Sequence, residues 1–118
     1  LIANRSRADA FVSIHANASR NAKRTVNGIE TFFYSGKKGY RLANLIQKEV
    51  WEASPGSPDR GVRRSRFFVI RRTNMPAVLV ETGFLTGKLD SSQLSRALHR
   101  RNLALAISKG ILLYLQGE

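Results

Sequence analysis

The chain has 118 residues, enough for one domain and too few for two. Hydrophobic residues make up 42% and charged residues 24%, a globular balance that excludes a disordered chain; no apolar run reaches the ~18 residues of a membrane-spanning helix. Lys plus Arg is 20 against 8 Asp plus Glu, a net charge of +12, and there is no cysteine, so disulfides, thiol catalysis and Cys-bound zinc are excluded.

The chain opens at Leu1 in a helix-like pattern, without the charged start, apolar centre and small-residue cleavage site of a signal peptide. The expectation is a piece of a longer protein, with targeting information on the part upstream. Basic residues are spread from Arg5 to Arg101. Such a surface attracts a polyanion, for example an acidic cell-wall polymer. A nucleic-acid footprint would call for clustering with stacking aromatics. Here Phe32-Phe33-Tyr34 and Phe67-Phe68 sit in apolar runs that read as core strands.

Residues 1 to about 9 read as the end of a helix. Phe11 to Ala16 is short and β-rich and predicts a strand; the polar stretch Asn17 to Asn27 predicts a loop. Gly28 to Tyr34 predicts a second strand, closed by Ser35-Gly36, either of which can cap the next helix. Residues 37 to 53 carry Tyr40, Ala43, Ile46, Val50 and Ala53 at spacings of three and four, the mark of an amphipathic helix. Ser54-Pro55-Gly56-Ser57-Pro58-Asp59 breaks it, and Arg63 to Arg66 reads as a basic solvated loop.

Phe67 to Ile70 predicts a third strand and Arg71 to Asn74 a turn. Ala77 to Glu81 is a fourth strand, apolar without alternation, as in a strand buried on both faces. After a loop over 82 to 87, Asp90-Ser91-Ser92-Gln93 fits a capping box. The helix behind it runs to about Leu115, with Ala97, Ala104, Ile107, Ile111 and Tyr114 along one stripe. Gly110 inside it costs roughly 1 kcal/mol against Ala and points to close packing. Together these elements predict an α/β fold, a mostly parallel sheet flanked by helices.

Ligands of open α/β sheets bind beyond the carboxyl ends of the strands. His15 and Glu81 stand at two such ends. An imidazole is a common metal ligand and a carboxylate a common general base for water on a metal. The plainer alternatives are a hydrogen-bonded structural histidine and a loop-anchoring carboxylate. There is no HExxH, no paired-carboxylate signature, no Gly-rich phosphate loop and no Gly-x-Ser-x-Gly.

Phe11-Val12-Ser13-Ile14-His15-Ala16-Asn17, Gly28-Ile29-Glu30 before an aromatic strand, Asp59-Arg60-Gly61-Val62, Phe68-Val69-Ile70-Arg71 and Met75-Pro76-Ala77-Val78-Leu79-Val80-Glu81-Thr82-Gly83-Phe84-Leu85-Thr86 together resemble the zinc-dependent N-acetylmuramoyl-L-alanine amidases of the type-3 group. The final helix, from Ala104 to Ile111, matches as well, so the resemblance spans essentially the whole chain. It implies hydrolysis, outside the cell or in the periplasm, of the peptidoglycan amide between N-acetylmuramic acid and L-Ala. It also implies one zinc ion held by His, Glu and His. His15 corresponds to the second histidine and Glu81 to the catalytic carboxylate. The first histidine and the ligand glutamate belong to an upstream segment, so residues 1–118 are expected to be the C-terminal portion of one catalytic domain. His99, in a basic helix segment that reads as exposed, replaces neither.

Glu30 lies within an apolar strand and needs a partner. Either it accepts from the second ring nitrogen of His15 and orients that ligand, or it pairs with a nearby arginine. Asn17 and Arg71 are candidates for gripping substrate, Arg71 through a stem-peptide carboxylate. With one zinc ligand of three, the 118 residues alone are expected to bind zinc weakly and hydrolyse little. An unpaired sheet edge is expected where the upstream strand would add. Two other readings are a non-catalytic wall-binding fragment and a basic nucleic-acid-binding module.

Overall fold

The structure is a computed structural model and describes residues 2–117. Its strands are β1 (Phe11–Asn17), β2 (Ile29–Phe33), β3 (Asp59–Arg64) and β4 (Ala77–Phe84), and its helices are α1 (Ile2–Ser6), α2 (Lys37–Glu52), α3 (Phe68–Arg71), α4 (Lys88–Leu94) and α5 (Ala97–Leu115). The strands form one sheet in the order β1-β4-β2-β3. β1 pairs parallel with β4, and β2 parallel with β3, while β2 meets β4 antiparallel. The sheet is thus mostly parallel, as the sequence predicts, with its one reversal at the centre.

Side chains alternate across a sheet, and the two faces have different covers. On one, Val12, Ile29, Phe33, Val78 and Val80 pack against Leu42, Ala43, Ile46 and Val50 of α2 and Leu103, Ala106, Ile107 and Tyr114 of α5. On the other, Phe11, Phe32, Tyr34, Ala77 and Leu79 pack with Val69 and Ile70, at α3. All eight residues of β4 are buried, which explains its unbroken apolar run. α5 crosses α2 so closely that a Cβ on Gly110 would lie 2.9 Å from the Cα of Ile46. Among the described residues β1 has a strand neighbour on one side only.

The structure departs from the sequence reading in several places; Tyr40, expected on the buried stripe of α2, is 54% exposed, and β4 runs past Glu81 to Phe84. Phe67 to Ile70 is not a strand: a single helical turn, α3, folds there and tucks Ile70 under while Phe67 and Phe68 stay exposed. The third strand is instead Asp59–Arg64, read above as breaker and basic loop. Its side chains are largely exposed, so backbone pairing with β2 defines it. Asp90 does not cap a long helix, because Gly87 occupies the N-cap of α4 and the chain turns at Ser95 and Arg96 before α5. The buried stripe of α5 is His99, Leu103, Ala106, Ile107, Gly110 and Tyr114; Ala97 and Ala104 are exposed, and His99 is buried, not exposed.

Candidate active site

His15, Glu81 and Glu30 stand in one row across three adjacent strands. His15 is the register partner of Glu81 across β1 and β4, and Glu30 is the partner of Glu81 across β2 and β4. Directly paired residues share a sheet face, and neighbouring strands lie about 4.8 Å apart. The row lies on the face away from α2 and α5, in line with Phe32 and Leu79. Ser13, two residues before His15 and on the same face, holds its imidazole through an Oγ···Nε2 hydrogen bond of 2.7 Å. The Thr82 hydroxyl donates to the His15 carbonyl at 2.9 Å, fixing β1 where its register shifts between His15 and Asn17.

The two carboxylates are treated differently. Glu30 is buried and ion-pairs through Oε2 with Arg63 Nε at 2.8 Å; Arg60 Nε lies 4.0 Å from its Oε1. Of the two partners the sequence left open for Glu30, the structure supplies the arginine. The Arg63 contact is ionic in character, since Oε2 receives no well-aligned donor. A bulge makes the double pairing possible. Thr31 pairs with Val62 although Ile29 pairs with Asp59, so β3 carries an extra residue, and Gly61 absorbs it at φ +81°. Arg60 and Arg63, three apart, thereby both reach Glu30.

Glu81 has no such partner. It is 8% exposed, and its Oε2 is buried without a hydrogen-bond partner among the described residues. Burial foremost, and then the charge of Glu30, push its carboxyl up to about 6. A carboxyl poised near neutrality beside one paired with arginine is an arrangement that can hold and pass a proton.

Asp90 ties this rim together. Its Oδ2 accepts the backbone N–H of Gly28 at 2.7 Å and of Phe84 at 2.8 Å, and its Oδ1 accepts the Ser57 hydroxyl at 2.8 Å. One carboxylate thus joins the start of β2, the end of β4 and the loop before β3, the three strands that carry Glu30, Glu81 and the arginines. Gly83, at φ +138°, passes 3.1 Å from the Asp90 side chain measured from where a Cβ would sit. The sequence reading missed this role. The only signal was a glycine two residues past Glu81, followed by a lone Asp.

The remaining candidates are more scattered. Asn17 ends β1, and its Oδ1 accepts the N–H of Ala18 at 2.8 Å. Arg71 is exposed on α3, with its guanidinium 5.8 Å from the centre of the Phe68 ring. His99 lies away from the row, lining a surface groove with Pro55 and Arg96. Beside the free edge of β1 runs an apolar cleft of about 370 Å³ lined by Ile14, Leu85, Leu103 and Ile107, with His15 at its rim.

No three His, Cys, Asp or Glu side chains among the described residues stand close enough to hold a metal ion. An imidazole beside an unpartnered, buried carboxylate oxygen fits one corner of a metal centre, and a complete tetrahedral set needs further ligands.

The chain belongs to the N-acetylmuramoyl-L-alanine amidase family, whose profile matches residues 1–112. It is 42% identical over 112 residues to the N-acetylmuramoyl-L-alanine amidase LytC of Bacillus subtilis, covering 92% of this chain and 22% of LytC. Among solved structures it resembles the amidase AmiC2 of Nostoc punctiforme, with a TM-score of 0.90 and 43% identity over 98% of this chain and 62% of that one. It also resembles the catalytic domain of CwlV from Bacillus (Paenibacillus) polymyxa, with a TM-score of 0.89 and 37% identity over 99% of this chain and 63% of that one. The chain therefore spans under two thirds of each of these relatives.

Proposed function

We propose that the protein carrying this chain is a zinc-dependent amidase of peptidoglycan, acting at the cell wall. It would hydrolyse the bond between the lactyl group of N-acetylmuramic acid and the L-Ala of the stem peptide. The observation that supports this reading most is the buried, unpartnered Glu81 carboxylate set beside His15 on one sheet face. His15 would be one zinc ligand, and zinc, when bound, supplies Lewis-acid activation of the scissile carbonyl and the attacking water.

Glu81 takes a proton from that water and gives it to the L-Ala nitrogen as the carbon–nitrogen bond breaks. Water adds across the bond, leaving a lactyl carboxylate and an ammonium group on L-Ala, with no need of a thiol or hydroxyl nucleophile. Glu30, paired with Arg63, lies beside Glu81 and its charge raises the proton affinity of Glu81. Asn17 and Arg71 would grip the substrate, Arg71 through a stem-peptide carboxylate. The +12 charge draws the protein to the anionic wall. Contributing one imidazole to the centre, the 118 residues alone would bind zinc weakly and turn over little.

The test is digestion of purified peptidoglycan by the full-length natural chain, with mass analysis of the products. New amino groups on L-Ala, with free lactyl carboxyls left on the glycan, are expected. Cleavage confined to glycosidic bonds or peptide cross-links contradicts the proposal.

A further inference from the structure

The segment from Arg66 to Arg72 sets two aromatic rings on the surface beside the carboxylate row. Phe32 is two residues beyond Glu30 on β2 and so shares its face, roughly 7 Å along the strand. Phe67 meets Phe32 edge to face, with ring centres 5.1 Å apart. Phe67 is 42% and Phe68 53% exposed, against the usual preference of this side chain for the interior. The guanidiniums of Arg71 and Arg72 lie 5.8 and 5.4 Å from the Phe68 ring centre. No acidic residue occurs between Arg60 and Val80.

We infer that Phe67 and Phe68 form a subsite that stacks on a pyranose ring of the glycan strand whose stem-peptide amide lies over the His15–Glu81–Glu30 row. The inference rests on the amidase reading and deepens it, assigning the sugar side of the substrate to α3. A pyranose offers a flat, C–H-rich face to an aromatic ring, together with acetamido and ring oxygens at its margin. The planar guanidinium of Arg72, which lies over the Phe68 ring, donates to such oxygens, while Arg71 is left to the stem-peptide carboxylate. A stem peptide beginning in L-Ala has no flat apolar face to match. A nucleic-acid base would also stack on the rings, but its phosphodiester would then approach the carboxylates of Glu30 and Glu81 one register step away.

The test uses the full-length natural chain and an uncharged tetramer of N-acetylglucosamine, a probe with the ring and acetamido groups but no scissile lactyl amide. Calorimetric titration is expected to show binding, weakened about tenfold in Phe68→Ala, equivalent to ~1.4 kcal/mol, and restored in Phe68→Trp. Phe68 is half exposed, so the fold should tolerate both changes. On purified peptidoglycan the Phe68→Ala loss is expected in KM and not in kcat, as for binding shared by ground and transition states.

Tetramer binding that is absent, or unchanged in Phe68→Ala, overturns the inference even if the wall is hydrolysed normally. Phe68-dependent tetramer binding without wall hydrolysis upholds the subsite and removes the amidase reading alone. Tighter Phe68-dependent binding of a single-stranded oligonucleotide than of the tetramer at physiological salt also overturns the inference.

Discussion

Glu30 and Glu81 face each other across the antiparallel β2–β4 ladder, two carboxylates set side by side at the centre of the sheet. Like charges in this position are destabilising, and the fold meets the conflict asymmetrically: Arg63 and Arg60 attend Glu30, and Glu81 is left with its proton affinity raised. In the proposed reaction this asymmetry leaves Glu81 to move the proton and Glu30 to support it.

The first prediction follows from the direction of that shift. Glu81 holds its proton up to about pH 6 in the folded chain, whereas an unperturbed glutamate releases it near 4.5. Between these values the unfolded chain binds fewer protons, so stability falls as pH rises through the window and stays lower above it. Thermal melts across pH 4 to 8 (roughly the span of both pKa values) should show this fall, and Glu81→Gln should abolish it. Glu30→Gln should shrink it only in part, because burial is the larger cause.

His99 carries the opposite sign. Burial foremost holds its pKa below 6.5; Arg96 pushes the same way and Asp90 pulls it back. The unfolded chain therefore takes up a proton that the folded chain resists. The stabilisation is complete above pH 6.5 and is lost as pH falls toward the folded value. His99→Gln should flatten this acid-side loss and leave the Glu81-dependent fall in place. Melts of the two single variants separate the contributions.

Asp90→Ala should be among the most damaging changes outside the reacting groups. It strips the acceptor from two buried N–H groups and a buried hydroxyl, a cost of about 3 kcal/mol and a drop of about 10 °C in Tm. Asp90→Asn keeps an acceptor for the N–H groups and should lose less. Calorimetry of the two variants checks the order.

Gly110→Ala sets two effects against each other. Alanine favours a helix interior by about 1 kcal/mol, yet its Cβ would press on the backbone of Ile46 at 2.9 Å, and overpacking costs typically 1–3 kcal/mol. Because the obstacle is backbone, the clash should win. The urea midpoint should fall with the m-value unchanged.

What the sequence disclosed depended on how local each cause was. β4 was legible because burial on both faces writes itself as an unbroken apolar run, and the pairing of His15 with Glu81 follows once β1 and β4 are neighbours. Phe67 to Ile70 misled because a four-residue apolar run does not distinguish a strand from a helical turn. β3 escaped notice because its exposed arginines carry no alternation; only Gly61, the bulge residue, hinted at it. Asp90 imitates a helix cap locally, and its partners Gly28, Ser57 and Phe84 come from three separate segments. His99 sits among basic residues that point outward while its own ring turns to the interior.

The central claim is that Glu81 moves the proton and His15 helps to hold the metal. Stem-peptide release and bound zinc, measured together in Glu81→Gln and His15→Ala of the full-length natural chain, test it most directly. Glu81→Gln should slow release about a hundredfold to ten-thousandfold while keeping its zinc, and His15→Ala should lose both. A Glu81→Gln protein that releases peptide at the unmodified rate would contradict the account.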